Sequence, residues 1–177
     1  MEIRKTNVGD AKALMELFDE ARGTIAKLGI DQWQKGYPSQ EVVDSDIEAG
    51  QSYAVMYDGE ICGTFALMNG FEPLYDMIHD GEWKTANDDG KNYQAIHRVA
   101  VSVKMRGKGV STEIINYAER YACSLGRTSL RIDTHEGNVV MRRMLEKHGF
   151  VFCGIIHLEN GDPRVAYEKV LMNDRPY

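Results

Sequence analysis

The stretch from Val99 to Ser111 constrains the fold most, because it reads as a buried strand that runs through a glycine-rich turn into a helix. Gly107 and Gly109 stand in the turn, and apolar residues at helical spacing follow them. The first turn of a helix offers unpaired backbone N–H groups and the positive end of the helix dipole. Glycine allows the backbone to approach an anion closely. The order strand, turn, helix therefore predicts a phosphate-binding turn.

Basic side chains flank this turn, namely Lys104, Arg106 and Lys108. The whole chain is acidic, with a formal net charge of −6 at pH 7, so a local cluster of positive charge supports an anion site. The acidic balance argues against nucleic acid as the main partner and favours a cationic substrate. The alternative interpretation is an ordinary glycine turn with solvated lysines.

Three known phosphate-turn patterns compete for these residues. A P-loop requires Gly and Ser or Thr at two positions where the chain has Ser102 and Gly109. A dinucleotide turn requires Gly at position 112, which is Thr112, although Asp133 does end a following predicted strand. The third pattern is Gln or Arg, two residues, Gly, one residue, then Gly or Ala, after an apolar-Ala-Val run. Here that pattern reads Lys104-Met-Arg-Gly107-Lys-Gly109 after Val99-Ala100-Val101.

Composition indicates one folded domain, 1–177, of 177 residues with 43% hydrophobic and 27% charged residues. The start of the chain has no apolar run typical of a signal peptide, and no run is long enough to span a membrane. Cys62, Cys123 and Cys153 lack metal-ligand spacing, and we expect them to be small buried hydrophobes in a reducing cytosol. The prediction is a cytoplasmic protein with no membrane partner and no metal site.

The apolar periodicity predicts the order strand, two helices, three strands, helix, strand, helix, two strands. Asp10 and Ser39 are predicted N-caps of the first two helices, and Asp58-Gly59 predicts a hairpin turn. The strand at 129–133 should run parallel to the strand at 95–103, because a helix over 110–125 connects them. Residues 70–92 are predicted to form a long loop. One face of the connecting helix should be buried, with Ile114, Ala118, Tyr121 and Leu125.

A second motif covers 138–150 and reads Asn-Val-Val-Met-Arg-Arg-Met-Leu-Glu-Lys-His-Gly-Phe. Together with the glycine turn and the element order, it resembles the signatures of the GCN5-related N-acetyltransferase (GNAT) superfamily over nearly the whole chain. Lys104 departs from the usual Gln or Arg, and Leu145 stands where a Tyr is usual. The resemblance implies a mixed α/β fold. Its central, mostly antiparallel sheet would have about seven strands, splayed between strands 4 and 5 and flanked by about four helices.

The resemblance also implies an activity, the acetyl-CoA-dependent N-acetylation of a primary amine on a small molecule or peptide by direct attack in a ternary complex. Homodimers are common in the superfamily, so a homodimer is possible. The backbone near Val99 would stabilise the oxyanion, and Asn138 would contact the pantetheine arm or order the turn before the last helix. The implied cofactor-binding residues are Val99, Ala100, Val101, Lys104, Met105, Arg106, Gly107, Lys108, Gly109, Val110, Ser111, Asn138 and Arg142.

His97 is the predicted general base. Strand alternation places His97, Val99 and Val101 on one face, and arylalkylamine acetyltransferases of the superfamily have a histidine at the matching position. The alternative is a strand histidine bonded to a neighbouring carbonyl. The usual acid is replaced by Leu145, and the possible substitutes are Tyr93, Tyr117 and His135.

Three aromatic residues are predicted to bind the acceptor. Trp33 and Tyr37 lie between the first two helices, a region that borders the acceptor site in the superfamily, and Trp83 lies in the long loop. An aromatic wall holds an ammonium group by cation–π contact, whereas the alternative is core packing.

Two other function classes stay open. Leu145 in place of Tyr is compatible with a non-catalytic acyl-CoA-binding or sensor domain, and Gly107-Lys-Gly109 is compatible with a nicotinamide-dependent enzyme.

Overall fold

The computed structural model describes residues 1–86 and 90–171. Strands and helices follow one another in the predicted order: β1 Glu2–Lys5, α1 Ala11–Ala26, α2 Gln40–Glu48, β2 Ser52–Tyr57, β3 Glu60–Leu67, β4 Tyr93–Val101, α3 Val110–Ser124, β5 Ser129–Thr134, α4 Val139–Lys147, β6 Val151–His157 and β7 Pro163–Val170. The strand order is β1-β2-β3-β4-β5-β7-β6, with β4 and β5 parallel. This mixed seven-stranded sheet with four helices confirms the predicted fold class. Within residues 1–86 and 90–171, every helix is too short or too polar to cross a lipid bilayer.

The first of two compact units comprises Met1–Leu67 and His97–Ile115. Helices α1 and α2 bury their apolar faces in a cluster whose fully buried members are Leu14, Phe18, Val43 and Ala100. The β2–β3 hairpin turns at Asp58 and Gly59, whose φ angles are 49° and 81°. Positive φ at both central residues is what a type I′ hairpin requires, so the Asp-Gly prediction is confirmed.

The second unit comprises Met68–Ile96 and Asn116–Tyr177, described here up to residue 171. Tyr93–Ala95 of β4 pairs in parallel with Ser129–Arg131 of β5, as predicted, and β7 pairs antiparallel with both β5 and β6. Its core cluster contains Tyr75, Tyr93, Ala95, Ile156 and Ala166.

The segment between β3 and β4 is mostly loop, as predicted, and packs closely on the second unit; residues 87–89 of it lie outside the described part. A short 3₁₀ turn at Pro73–Tyr75 buries Tyr75 completely. Farther along, His79 and Ile155 of β6 exchange two backbone hydrogen bonds of 2.8 Å. The segment therefore reaches the free edge of β6 and occupies part of it.

A buried ion pair inside the second unit anchors residues 83–85, which belong to the segment between β3 and β4. Arg131 Nε lies 2.9 Å from Glu168 Oε1, and both side chains are fully buried. The Arg131 guanidinium lies 4.3 Å from the ring centre of Trp83 and 4.1 Å from that of Tyr93. Thr85 donates its backbone N–H to Glu168 at 3.2 Å. Residues 83–85 are therefore fixed to strands β5 and β7.

Ser39 caps α2 as predicted, accepting a hydrogen bond from Val42 N–H. Asp10 occupies the predicted N-cap position of α1, but its side chain makes no cap hydrogen bond. Its carboxylate instead accepts from Asn7 N–H and from both terminal nitrogens of Arg4.

Two burial predictions are wrong for residues on or just after α3. Leu125 is 50% exposed, because α3 ends at Ser124 and Leu125 leaves the buried face. Cys123 is exposed, whereas Cys62 and Cys153 are buried as expected. The predicted strand at 95–103 also ends early, since Val103–Met105 form a 3₁₀ turn after β4.

Candidate active site

Strand β4 contains a bulge at Arg98, whose φ is 53°. Met68 N–H donates to the Ala95 carbonyl, and Ser102 N–H donates to the Cys62 carbonyl. These two bonds span seven residue steps on β4 but six on β3, so β4 carries one extra residue. The sequence predicts that His97 and Val99 lie on one face of a regularly alternating strand. The bulge residue Arg98 lies between them, so the strand does not alternate regularly at this point.

The residues around the bulge differ in burial. Ala100 is 3% exposed and belongs to the core cluster under α1 and α2, whereas His97, Val99 and Val101 are each partly accessible. Residues 99–101 keep a strand alternation, so Val99 and Val101 share the face opposite Ala100. The predicted base and the predicted oxyanion donor therefore lie on either side of Arg98.

The glycine turn has the conformation that the sequence predicts. Gly107 and Gly109 have φ angles of 73° and 85°, and a Cβ added to either would meet no atom within 4 Å. The φ angles require glycine, and the open space beside them admits a ligand. The open space beside both glycines is compatible with the close approach of an anion such as a diphosphate.

The turn uses some of its own N–H groups. Those of Met105, Arg106 and Lys108 donate to preceding carbonyls in the turn. In residues 1–86 and 90–171 no acceptor is found for the N–H groups of Gly107, Gly109, Val110 and Ser111. These four belong to the end of the turn and the start of α3.

Helix α1 fixes the turn through two contacts that the sequence analysis missed. Glu20 Oε1 accepts from Val103 N–H at 3.1 Å, and Arg106 Nη2 donates to Thr24 Oγ1 at 2.8 Å. Lys104 and Lys108 are exposed, so they are the more accessible cations of the turn.

In the second unit, Asn138 is the N-cap of α4. Its Oδ1 accepts from Met141 N–H at 3.2 Å, and the residue is 8% exposed. Arg142 donates through Nε to the Tyr167 hydroxyl and through Nη1 to the Glu136 carbonyl, both at 3.0 Å. The bond to Tyr167 raises the pKa of Arg142. The turn-ordering role of Asn138 is thus observed, and its contact with pantetheine stays a prediction.

The three predicted acceptor aromatics have different surroundings. Trp33 packs edge-on against Phe18, with ring centres 5.7 Å apart, and lies beside the core cluster of the first unit. Tyr37 is 41% exposed and follows Trp33, with 6.4 Å between ring centres. Trp83 belongs to the second unit, where it stacks on Arg131 and donates Nε1–H to the Tyr75 carbonyl at 2.9 Å. Its surroundings are therefore those of a core residue.

A buried ion pair beside the bulge was also missed. Arg98 Nε lies 2.6 Å from Asp46 Oδ2, and Arg98 Nη2 donates to Asp46 Oδ1 at 2.8 Å. Arg98 Nη1 donates to the Tyr37 hydroxyl at 2.8 Å. Burial disfavours the charged guanidinium, but Tyr37 and Asp46 together raise the pKa of Arg98. Asp46 stood on the apolar face of α2, between Val43 and Ile47, and this spacing was the available signal.

The family of this chain follows from its similarity to known proteins. Residues 12–150 match the Acetyltransferase (GNAT) family model. The chain belongs to the GNAT family. A GNAT acetyltransferase structure from Streptococcus agalactiae 2603 shares 34% identity, with a TM-score of 0.85 and coverage of 96% of this chain and 95% of that one.

More distant relatives bear enzyme names. A streptothricin acetyltransferase from Escherichia coli is 27% identical over 74% of this chain, and the match spans 63% of that protein. A structure described as aminoglycoside 6'-N-acetyltransferase complexed with coenzyme A is 16% identical, with a TM-score of 0.63 and coverage of 96% of this chain and 97% of that one. At that identity, the likeness shows the GNAT fold alone.

The chain is therefore a member of a family of acetyltransferases, which removes the nicotinamide-dependent alternative. The Asp133 carboxylate, which that alternative required, accepts the Tyr75 hydroxyl at 2.8 Å.

The structure places Leu145 and the three predicted substitutes for the usual acid, Tyr93, Tyr117 and His135, in different surroundings. Leu145 is fully buried. The Tyr93 hydroxyl accepts from Glu72 N–H at 3.0 Å, and burial raises the pKa of Tyr93. His135 Nδ1 accepts from Gly137 N–H at 3.0 Å, and Tyr117 is partly buried on α3. Tyr93 and His135 thus make local structural bonds, which leaves neither with a clear catalytic role.

Proposed function

We propose that this GNAT protein transfers the acetyl group of acetyl-CoA to a primary amine of a small molecule or peptide by direct attack in a ternary complex. The observation that carries the proposal is the turn before α3, where two positive-φ glycines border open space and four N–H groups lack acceptors among the described residues. We propose further that residues 1–177 act as one cytoplasmic catalytic domain.

The cofactor would be held by backbone more than by side chains. The N–H groups of Gly107, Gly109, Val110 and Ser111 would bind the diphosphate, with Lys104 and Lys108 supplying positive charge. The parallel pairing of β4 with β5 covers Tyr93–Ala95 in the described residues, so Val99–Val101 lie outside it. This supports an additional role for the backbone of Val99–Val101 in pairing with the amides of pantetheine. We retain Asn138 and Arg142 as predicted contacts on the second unit.

Acetyl-CoA supplies an activated acyl group as a thioester. The Val99 N–H would donate a hydrogen bond to the carbonyl oxygen as negative charge develops there. His97 would take the proton that the attacking amine loses, and an imidazole suits this step because its ordinary pKa is about 6.5. Leu145 has no proton to donate. The reaction tolerates this, because a thiolate whose acid has a pKa of about 8.5 leaves without protonation.

The acceptor would be a cationic small molecule. Tyr37 exposes its ring beside Trp33, and this pair would hold the ammonium group by cation–π contact. The chain's net charge of −6 and its similarity to a streptothricin acetyltransferase both favour a cationic, low-molecular-weight acceptor. Trp83 is not included in this proposal, because its indole is used in packing. A homodimer stays a prediction.

Leu145 still favours one alternative, an acyl-CoA-binding domain of the same fold that does not catalyse transfer. Thermal shift and turnover separate the two functions. Saturating acetyl-CoA at about 100 times Kd should stabilise the protein by about 2.7 kcal/mol, whereas NAD should give no shift. Thiol release should then follow with at least one member of a panel of amines. A shift with no thiol release across the panel supports the alternative, and no shift with acetyl-CoA contradicts both.

A further inference from the structure

The network of Arg98, Asp46 and Tyr37, in which the Arg98–Asp46 pair is buried and Tyr37 is exposed, has no assigned role. It joins the bulge residue of β4 to α2 and to the segment before α2. We propose that Asp46 and Tyr37 hold Arg98 in its left-handed conformation and thereby set the direction of the Val99 N–H group. Asp46 and Arg98 are in this proposal positioning residues for acetyl transfer, and the proposal rests on the proposed function.

The conformation of Arg98 needs an external support. A residue with a Cβ at a φ of 53° places that atom too close to a backbone oxygen, which is why glycine usually fills such positions. In residues 1–86 and 90–171, twelve glycines have a positive φ, and Arg98 is one of four other residues that share it, with Trp33, Asp58 and Asp80. The Arg98 guanidinium donates through Nη2 to Asp46 and through Nη1 to Tyr37, and charge-assisted hydrogen bonds of this kind fix its orientation. The side chain of Arg98 can therefore stabilise the backbone conformation that its own Cβ disfavours.

The backbone geometry connects Arg98 to the predicted chemistry. The N–H of Val99 belongs to the peptide plane that directly follows the Arg98 Cα atom. Rotation about the Arg98 backbone bonds turns that plane as a unit. Holding Arg98 therefore aims the Val99 N–H, and releasing it would let β4 return to a regular strand with a different N–H direction.

The surroundings of Arg98 favour positioning over substrate binding. Its Nε and Nη2 face Asp46, its Nη1 donates to Tyr37, and its side chain is 9% exposed. Tyr37 is itself anchored, since Arg22 Nη1 donates to the carbonyls of Tyr37 and Pro38 at 3.1 and 3.2 Å. Helices α1 and α2 therefore both support the network.

The first test replaces Asp46→Asn, which keeps the size of the side chain and removes its charge. The matched control is Asp10→Asn, because Asp10 also forms a two-nitrogen pair with an arginine in the same unit but outside the proposed machinery. We expect Asp46→Asn to lower kcat by about 10²-fold, as small misplacements of a reacting group do, with KM for acetyl-CoA within about twofold. Amide exchange of Val99 should rise in Asp46→Asn and not in Asp10→Asn.

The second test compares Arg98→Gly with Arg98→Ala. Glycine adopts a positive φ without the steric cost that alanine has. If the role of Arg98 is to hold the backbone, the glycine variant should keep at least about tenfold more kcat than the alanine variant. If the side chain contacts substrate, both variants lose activity equally, and the proposal is overturned.

Other outcomes are equally decisive. The proposal fails if Asp46→Asn matches Asp10→Asn in kcat, or if kcat falls while Val99 exchange stays unchanged. A wild-type protein that acetylates no amine contradicts the proposed function instead. In that case the exchange of Val99 in the free protein still decides whether Asp46 holds the bulge.

Discussion

Two glycines before α3, Gly107 and Gly109, give that turn its backbone conformation. Gly109 has a φ of 85°, and an added Cβ would enter open space rather than protein. Its identity is therefore required by the backbone angle, while the empty volume beside it is available to a ligand. The residue type was readable from the sequence, because its place between a strand and a helix is typical of phosphate-binding turns.

We predict that Gly109→Ala weakens acetyl-CoA binding by about tenfold or more. The added Cβ disfavours the positive φ and enters the space proposed for the diphosphate, so at least one N–H bond to the diphosphate is lost, and a hydrogen bond to a charged group contributes about 1.5–3 kcal/mol. The matched control is Gly161→Ala, at a φ of 86° in the turn between β6 and β7, also with no atom within 4 Å. Both variants should lose a similar stability of about 1–2 kcal/mol. Calorimetry with acetyl-CoA makes the comparison, and equal affinity in the two variants would rule out the diphosphate site.

His97 is the second residue whose role is open to a direct measurement. We predict that His97→Ala lowers kcat by about 10²–10⁴-fold and removes one limb of the pH–rate profile, because the amine loses its proton acceptor. Acetyl-CoA affinity should change little. His157→Ala, which removes an exposed histidine of β6, is the control. Wild-type turnover with an unchanged profile would leave His97 as a structural strand residue.

At the level of elements, the strands and helices could be predicted from local sequence patterns. The bulge in β4 involves residues that are far apart in the sequence, so no local pattern indicates it. The Ser39 cap and the Asp58-Gly59 hairpin depend on neighbouring residues, and both were predictable. The bulge at Arg98 depends on Asp46, fifty-two positions away, so strand alternation could not reveal it. Asp10 stands at the predicted N-cap position of α1, but its carboxylate pairs with Arg4 of β1 instead of capping the helix, and strand β1 could not be seen to supply that partner from local pattern.

Helix α4 offers a test at this scale. We predict that Asn138→Ala costs about 0.5–2 kcal/mol of stability through loss of the N-cap bond to Met141, and also lowers acetyl-CoA affinity. Ser39→Ala removes an equivalent cap on α2 and should lower stability alone. Thermal melts and calorimetry on both variants decide the matter. If the two variants behave alike, Asn138 only caps the helix.

Over the whole chain, the sequence predicted the order of elements and the turn before α3 but not the side chains that hold the long segment between β3 and β4. Trp83 was predicted to bind substrate, since aromatic residues in long loops are often functional. Its stacking partner is Arg131, forty-eight positions away on β5. Only the pairing of β5 with β7 brings Arg131 to Glu168, so neither contact had a local signal.

This ion pair gives the protein a pH-dependent stability. Burial alone would raise the pKa of Glu168, but hydrogen bonds from Ser129, Thr85 and Arg131 outweigh burial and lower it. A carboxyl with a lower pKa in the folded state stabilises the protein above its ordinary pKa of about 4.3. That contribution is lost as pH falls from about 4.3 through the folded-state value.

We predict that Glu168→Gln lowers stability at pH 7 by about 3–5 kcal/mol, because Arg131 is left buried without its counter-charge. Urea unfolding between pH 7 and pH 3 should also show a flatter pH dependence than wild type. Glu119→Gln breaks the partly exposed pair with Lys169 and should cost less than about 1 kcal/mol. Similar losses in the two variants would mean that the buried pair has no special role.

The bridge between His79 and Ile155 also limits how copies of this protein can associate. An open sheet edge is a template for another chain, because its N–H and C=O groups can recruit a foreign strand. Here the chain's own backbone fills both hydrogen-bonding groups of Ile155. A neighbouring molecule therefore cannot extend the sheet at that position of β6. Any association of two copies at this position has to form through side-chain surfaces. The occupied backbone groups of Ile155 also protect this part of the edge from strand-mediated aggregation.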